Sequence, residues 1–191
     1  MNYQELAMKY QHLTDKISYQ GDYYNSHTYA VVYDRLFHSY KDKKINFLEI
    51  GLNFGGNVEI CSEYFSNINH YGIDIADYIK IDKSKFTFYL GSFDATEVIN
   101  QVSERKYDII LEDASHNIHH QLKSIELYLP LLKDDGIMVI EDIQDINYLE
   151  TIYNIINTET HYAYTIDLRY NKRRWDDILV IIENRNKIIV P

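Results

Sequence analysis

The chain has 191 residues, enough for one domain burying about two-thirds of its unfolded surface, and its formal net charge of −10 argues against a nucleic acid as main partner, because phosphate binding needs a basic face. Its one cysteine, Cys61, excludes an internal disulfide and a thiolate zinc cluster, so a bound metal is expected among oxygen and imidazole ligands, which suits magnesium or manganese better than zinc. No apolar stretch reaches the roughly 20 residues of a membrane helix, and the start, Met1-Asn-Tyr-Gln-Glu5, lacks a basic region followed by an apolar one; no membrane partner and a cytoplasmic address are expected.

Near the N-terminus, Tyr29, Val32, Tyr33, Leu36, Phe37 and Tyr40 recur at helical spacing, which predicts a helical cover over residues 1–43. A charged turn then leads into the apolar run 45–50, a first strand. It ends on a turn holding Gly51, Gly55, Gly56 and Asn57 and passes into a helix through about Phe65. Residues 70–75, 86–90, 107–112 and 136–141 read as further strands, with helical stretches between the later ones. Such alternation implies a parallel sheet covered on both faces. Residues 162–168 and 177–183 are strands joined without room for a crossover helix, so they should pair antiparallel. The expected class is α/β, one domain over 1–191 with its core at 44–191.

In open parallel sheets ligands bind beyond the carboxyl ends of the strands, where glycine admits close backbone approach and a helix N-terminus offers free N–H groups. Gly51, Gly55, Gly56 and Asn57 occupy that position, but not in GxGxxG spacing, so an adenosine ligand other than a dinucleotide is expected. Asp74 ends the second strand, 25 residues after Glu49, where an acid accepts hydrogen bonds from ribose hydroxyls; a tight turn with a capping aspartate is the plain alternative. Ser92 and Phe93 follow the third strand and could border an adenine, with Asp94 a cap for the next helix.

Two later segments carry the most chemistry. Residues 111–120 and 139–144 each set carboxylates directly after an apolar run, so Asp113, Glu141 and Asp142 should converge at neighbouring strand tips, about 4.8 Å apart, where one hard divalent cation could be shared. His116, one helical turn beyond Asp113, is a candidate acid–base group. The alternative is helix capping, by Asp113 or Ser115 near Asn117 and by Asp142 near Asn147, yet a cap needs one carboxylate and three acids would repel one another without a cation. Glu112 should face the opposite way by strand alternation, His119 and His120 read as surface or packing groups with His120 in at most a supporting role, and Lys172-Arg173-Arg174-Trp175 reads as a solvated hairpin.

These motifs resemble the metal-dependent class I S-adenosylmethionine (SAM) methyltransferases that O-methylate sugars on macrolides, and related cephalosporin hydroxylase-like proteins. The resemblance is carried by Thr14-Asp-Lys16, His27, Tyr29, Tyr33, residues 47–51, Gly55, Gly56, residues 71–75, Asp113-Ala-Ser-His116 with His120, and residues 139–142. It implies a Rossmann-like fold with a mostly parallel seven-stranded sheet, an antiparallel C-terminal strand and a helical N-terminal cover. It also implies Mg²⁺ (or Mn²⁺) on Asp113, Glu141 and Asp142, with His116, beside Asp113, as general base. It places Glu49, Gly51 and Asn57 at the methionine part of SAM and Asp74 at the ribose; with Gly55, Ile75, Ser92, Phe93 and Asp113 these make up the expected SAM-binding set, and Tyr29 could line the pocket. Two departures stand out: Ala114 where relatives have glycine, and Asn57 where they have serine. The extra N-terminal domain of macrolide-modifying relatives is not seen, which predicts a different acceptor. The expectation is a homo-oligomeric, SAM-dependent, Mg²⁺-assisted O-methyltransferase acting on a small hydroxylated acceptor, a sugar or glycoside. A catechol-like phenol as acceptor and a non-catalytic SAM-binding regulator are the alternatives.

Overall fold

The computed structural model describes residues 1–17 and 26–185. Seven strands form one sheet: β1 (Lys44–Ile50), β2 (Asn67–Asp74), β3 (Thr87–Leu90), β4 (Tyr107–Glu112), β5 (Leu132–Ile140), β6 (His161–Asp167) and β7 (Ile178–Asn184). Their spatial order is β3-β2-β1-β4-β5-β7-β6. The first five run parallel, and β7 inserts antiparallel between β5 and β6. Side chains alternate across the pleat, so each central strand supplies both faces. Phe47, Ile109, Leu111, Val139 and Ile181 enter one buried cluster, and Leu48, Ile50, Ile110, Met138, Ile140 and Val180 the other. Burying one such side chain contributes about 1.5–3 kcal/mol, which is why these β-branched and leucine-rich runs are strands with both faces covered.

The first cluster lies under α1 (Tyr3–Lys9), α2 (Tyr29–Phe37) and α3 (Gly56–Tyr64), the second against α4 (Thr96–Val102), α5 (Ile118–Tyr128) and α6 (Tyr148–Ile155); α7 (Arg169–Lys172) is a single turn between β6 and β7. A capping box holds α1, with Asn2 and Glu5 each accepting from the other's backbone N–H. The N-terminal cover differs from the predicted helical stretch: it is two short helices, with turn and irregular chain over 10–17, while 18–25 fall outside the described residues. No helix among the described residues is long and apolar enough to cross a membrane.

Register fixes what meets at the carboxyl edge. Ile50 pairs with Glu112 and Glu112 with Ile140. The ladder continues beyond the strands, because Asp113 N–H donates to Ile50 O (2.8 Å) and Glu141 N–H to Glu112 O (3.0 Å). Asp113 and Glu141 therefore begin neighbouring loops from adjacent tips. The predicted capping roles are corrected: Asn117 itself caps α5, accepting from His119 N–H, while neither Asp94 nor Asp142 caps, since the N-cap residues of α4 and α6 are Ala95 and Asn147, neither with a side-chain cap.

Candidate active site

The turn after β1 is drawn tightly against the turn after β4. Gly51 has φ +90°, and a Cβ there would lie 2.1 Å from the Asp113 carbonyl oxygen, so only glycine fits. Gly56 opens α3 beneath the N-terminal segment, where a Cβ would meet Leu13 O at 2.3 Å. Between these turns and residues 11–16 lies a cavity of about 460 Å³, bounded by Glu49, Gly51, Asn57, Asp74, Asp113 and His116 among others. A second, of about 200 Å³, lies against Ile75, Ser92, Phe93 and His120 and shares Gly51, Asp74 and Ala114 with the first. Asp74 thus stands between the two, and its Oδ2 accepts from Leu52 N–H (2.9 Å) and Asn53 N–H (3.0 Å).

Of the residues expected to bind cofactor, Glu49, Gly51, Asn57, Asp74 and Asp113 border the first cavity and Ile75, Ser92 and Phe93 the second. Gly55 borders neither; it sits at the N-cap of α3 with φ +86°, packed on Ile81. Glu49 and Asn57 are engaged with each other (3.0 Å), Glu49 also with His70 (2.9 Å), and the Asn57 Oδ1 accepts from the Tyr3 hydroxyl.

The acid centre reaches this cavity through Asp113 and His116, with Glu141 and Asp142 buried behind them. His116 Nδ1 lies 2.9 Å from Asp142 Oδ2, and its Nε2 lies 3.6 Å from Asp113 Oδ1. His116 and Asp142 both take positive φ, 59° and 55°, conformations that cost about 1–3 kcal/mol and cluster at functional sites. The Tyr29 hydroxyl donates to Asp142 Oδ1 (2.6 Å), and His27 Nε2 approaches the same oxygen at 3.2 Å while its Nδ1 meets Asp177 Oδ1 at 3.1 Å. Glu141 faces elsewhere. Both its oxygens accept from Lys16 Nζ (2.8 and 2.9 Å), which also reaches Asp113 Oδ2 at 2.7 Å, and the Tyr33 hydroxyl donates to it too.

Burial pushes the Asp113 carboxyl up to about 6 despite the Lys16 charge, and raises Glu141 in the same way. Burial alone would lower the His116 imidazole, but the hydrogen bond and charge of Asp142 outweigh it and hold its pKa up at about 9. Burial opposes ionisation of Asp142 too, yet the His116 hydrogen bond and His27 keep it below the usual range. Ligand atoms of Asp113, His116 and Asp142 lie within 4.8 Å of one another, as do those of His27, Asp142 and Asp176. This oxygen-rich donor set, with more carboxylates than Lys16 can neutralise, fits a hard divalent cation. Of the three predicted metal ligands the structure brings Asp113 and Asp142 onto His116, while Glu141 turns to Lys16 and Tyr33.

Sequence alone assigns no role to Lys16, Tyr33, Asp176 or Asp177, although the adjacent acids after Trp175 are a usable signal. The solvated-hairpin reading is corrected in part. Lys172 is 5% exposed, and its Nζ donates to Ser26 and to the His27 carbonyl.

The chain is 28% identical over 125 residues to the mycinamicin VI 2''-O-methyltransferase of Micromonospora griseorubida, covering 61% of this chain and 31% of that protein. It is 27% identical over 126 residues to the demethylmacrocin O-methyltransferase of Streptomyces fradiae, again 61% of this chain and 32% of the other. The MycE methyltransferase of the mycinamycin biosynthetic pathway, solved with Mg and SAH, superposes with a TM-score of 0.75 at 21% identity over 100% of this chain and 57% of that one. The chain has the class I methyltransferase fold. It spans about a third of the length of the curated relatives it matches, and no family model matches it.

Proposed function

We propose that the chain is a SAM-dependent, Mg²⁺-assisted O-methyltransferase acting on a hydroxyl of a sugar or glycoside, with residues 1–43 covering a core at 44–191 in one domain. The observation that carries this is that Asp113 and His116, backed by the buried Asp142, line the same cavity as Glu49, Gly51 and Asp74, which suits a nucleoside whose reactive end points at an acid–base group. Similar proteins are named O-methyltransferases of a rhamnosyl tetracenomycin and of L-olivosyl-oleandolide, and MycE has been solved with Mg, SAH and mycinamycin VI, which supports a glycosidic acceptor here.

SAM, held by Asp74 and the walls of the two cavities, would supply an electrophilic methyl group to the acceptor oxygen, with S-adenosylhomocysteine (SAH) as co-product. Mg²⁺ on Asp113 and Asp142, with Glu141 as a further candidate ligand, would lower the pKa of the bound hydroxyl. Asp74 accepts from three backbone N–H groups, two on Oδ2 and one on Oδ1, which leaves a lone pair on Oδ1 for a ribose hydroxyl. Asp142 orients His116 through Nδ1, which leaves Nε2 to take the hydroxyl proton. Glu49 and Asn57, already paired, hold a polar wall for the amino-acid end, and Ile75, Ser92 and Phe93 suit the adenine.

We further read the protein as cytoplasmic and homo-oligomeric, the exposed Ile155 and the apolar groove beside it supporting an assembly face. The test of the whole reading is calorimetry with SAM and SAH, followed by SAH release from a panel of glycosides with Mg²⁺ or EDTA. SAM binding with metal-dependent turnover is expected, and Asp74→Ala should weaken SAM by about 1–3 kcal/mol. Absence of SAM binding, or full turnover in chelator, would sink it.

A further inference from the structure

A third cavity, of about 630 Å³, is formed by Arg169, Tyr170, Arg173, Arg174 and Trp175. Its place in the fold follows from strand direction. β7 is antiparallel to both β5 and β6, so β6 ends at the same edge as β1, β4 and β5. The loop from β6 to β7, which bears all five residues, therefore stands on the rim of the candidate active site. The contact is direct. Asp176, next to Trp175, accepts from the Tyr29 hydroxyl through its carbonyl (3.2 Å), and that hydroxyl also donates to Asp142. An Asp176 carboxylate oxygen lies within 4.8 Å of one on Asp142.

The rim is built rather than loose. Lys172 Nζ anchors it with hydrogen bonds of 3.0 Å to the Ser26 and His27 carbonyls. Arg169 is clamped by Asp167 (3.0 and 2.8 Å) and Arg174 by Asp176 (2.7 and 3.2 Å). Arg173 is different. It sits at φ 60° at the end of α7, exposed, and its guanidinium has no hydrogen bond or ion pair among the described residues. Beside it, Tyr170 is 93% and Trp175 59% exposed, large aromatic surfaces that a chain normally buries.

We infer that this cavity is the acceptor subsite and that it takes a carbohydrate bearing an anionic group, a carboxylate or a phosphate. The inference rests on the methyl-transfer reading above. Trp175 and Tyr170 offer flat, amphipathic faces for the apolar side of a sugar ring, and Arg173 a planar fork that matches an oxyanion in two-point geometry. Charge makes the anion specific. The chain carries −10 overall and this centre holds Asp113, Asp142, Asp176 and Asp177, a field that repels anions. An uncompensated arginine on that rim reverses the local sign at the end of the acceptor away from the reacting hydroxyl.

Trp175 is the only tryptophan, so its emission reports on the cavity itself. The full chain, with SAH and Mg²⁺, is titrated with glucuronic acid, glucose 6-phosphate and glucose. One or both anionic sugars should give a saturable change with an affinity about tenfold or more above that of glucose, and the better of the two distinguishes carboxylate from phosphate. Arg173→Asn, which tolerates the left-handed backbone, should abolish that preference and leave SAH affinity unchanged. Tyr170→Ala, at a nearly fully exposed position, should weaken all three sugars. Equal binding of glucose and the anions, no response to any sugar at millimolar concentration, or an unaltered preference in Arg173→Asn overturns the inference. SAH calorimetry on the same sample separates the two readings: without SAH binding the methyltransferase reading fails, whereas normal SAH binding with no anion preference removes only the subsite.

Discussion

Lys16 offers the sharpest test of the electrostatics. Its ammonium is 2.7 Å from Asp113 and 2.8 Å from Glu141, with side-chain exposures of 2%, 19% and 1% for the three groups. At about 2.8 Å and an effective dielectric near 20, each contact is worth roughly 6 kcal/mol before desolvation. Lys16→Met keeps most of the volume and removes the cation, leaving two buried carboxylates without their counter-charge. Removing one partner of a buried pair costs about 3–5 kcal/mol. In a chain of this size that lowers Tm by roughly 10 °C or more. Burial already raises Asp113 to about 6 and Glu141 in the same direction. Without Lys16 both folded pKa values rise further. The penalty then grows as pH climbs from the unfolded carboxylate range through the folded values, so the loss should be large at pH 8 and small at pH 5. Thermal unfolding by circular dichroism in EDTA measures this. Mg²⁺ should then stabilise the variant at pH 8 more than it stabilises the parent chain, because the ion meets carboxylates freed of their ammonium. A variant melting within about 2 °C of the parent in EDTA at pH 8 would refute the argument.

Further outcomes follow from the same geometry. His116→Ala should lower kcat by roughly 10²- to 10⁴-fold with SAM affinity intact, as measured by SAH release and calorimetry. In the metal-free chain the His116 pKa of about 9 lies above the ordinary 6.5, so its stabilising ion pair is complete below pH 6.5 and lost as pH rises through 9; chemical denaturation in EDTA across that window should show a decline absent from the alanine variant. Glu112, buried at the end of β4, has its carboxyl pushed by burial up to about 8. Its penalty accumulates from pH 4.5 to 8, so Glu112→Gln should stabilise by roughly 2–4 kcal/mol at pH 8.5 and by nothing near pH 4 in urea titrations. Gly51→Ala brings a methyl into the Asp113 carbonyl and should abolish SAM binding together with at least about 3 kcal/mol of stability.

Short-range pattern determined much of this protein. Apolar runs bounded by turns mark all seven strands, continuous in β4 and β7 because both faces are buried, and interrupted in the half-exposed edge strands β3 and β6. Gly51, Asp74, Asp113 and Asp142 were legible at strand ends for the same reason, since each interrupts such a run where the chain leaves the sheet. Tyrosines at helical spacing over 29–40 do form α2 and the turn after it, but residues 10–17 are turn and irregular chain, with 11–16 lining the cavity and Leu13 resting on Gly56. What the sequence could not carry was partnership over distance. Lys16 meets Asp113 across 97 positions and Glu141 across 125, and Tyr29 meets Asp142 across 113. Those contacts exist because β4 and β5 are neighbours and the N-terminal segment folds back over their tips. The insertion of β7 between β5 and β6 likewise brings Asp176, Trp175 and Arg173 to the acid centre. Strand order is settled by how the two faces pack, and it decided that Asp113 faces the cavity while sharing Lys16 with the buried Glu141, and that Asp142 is buried behind His116.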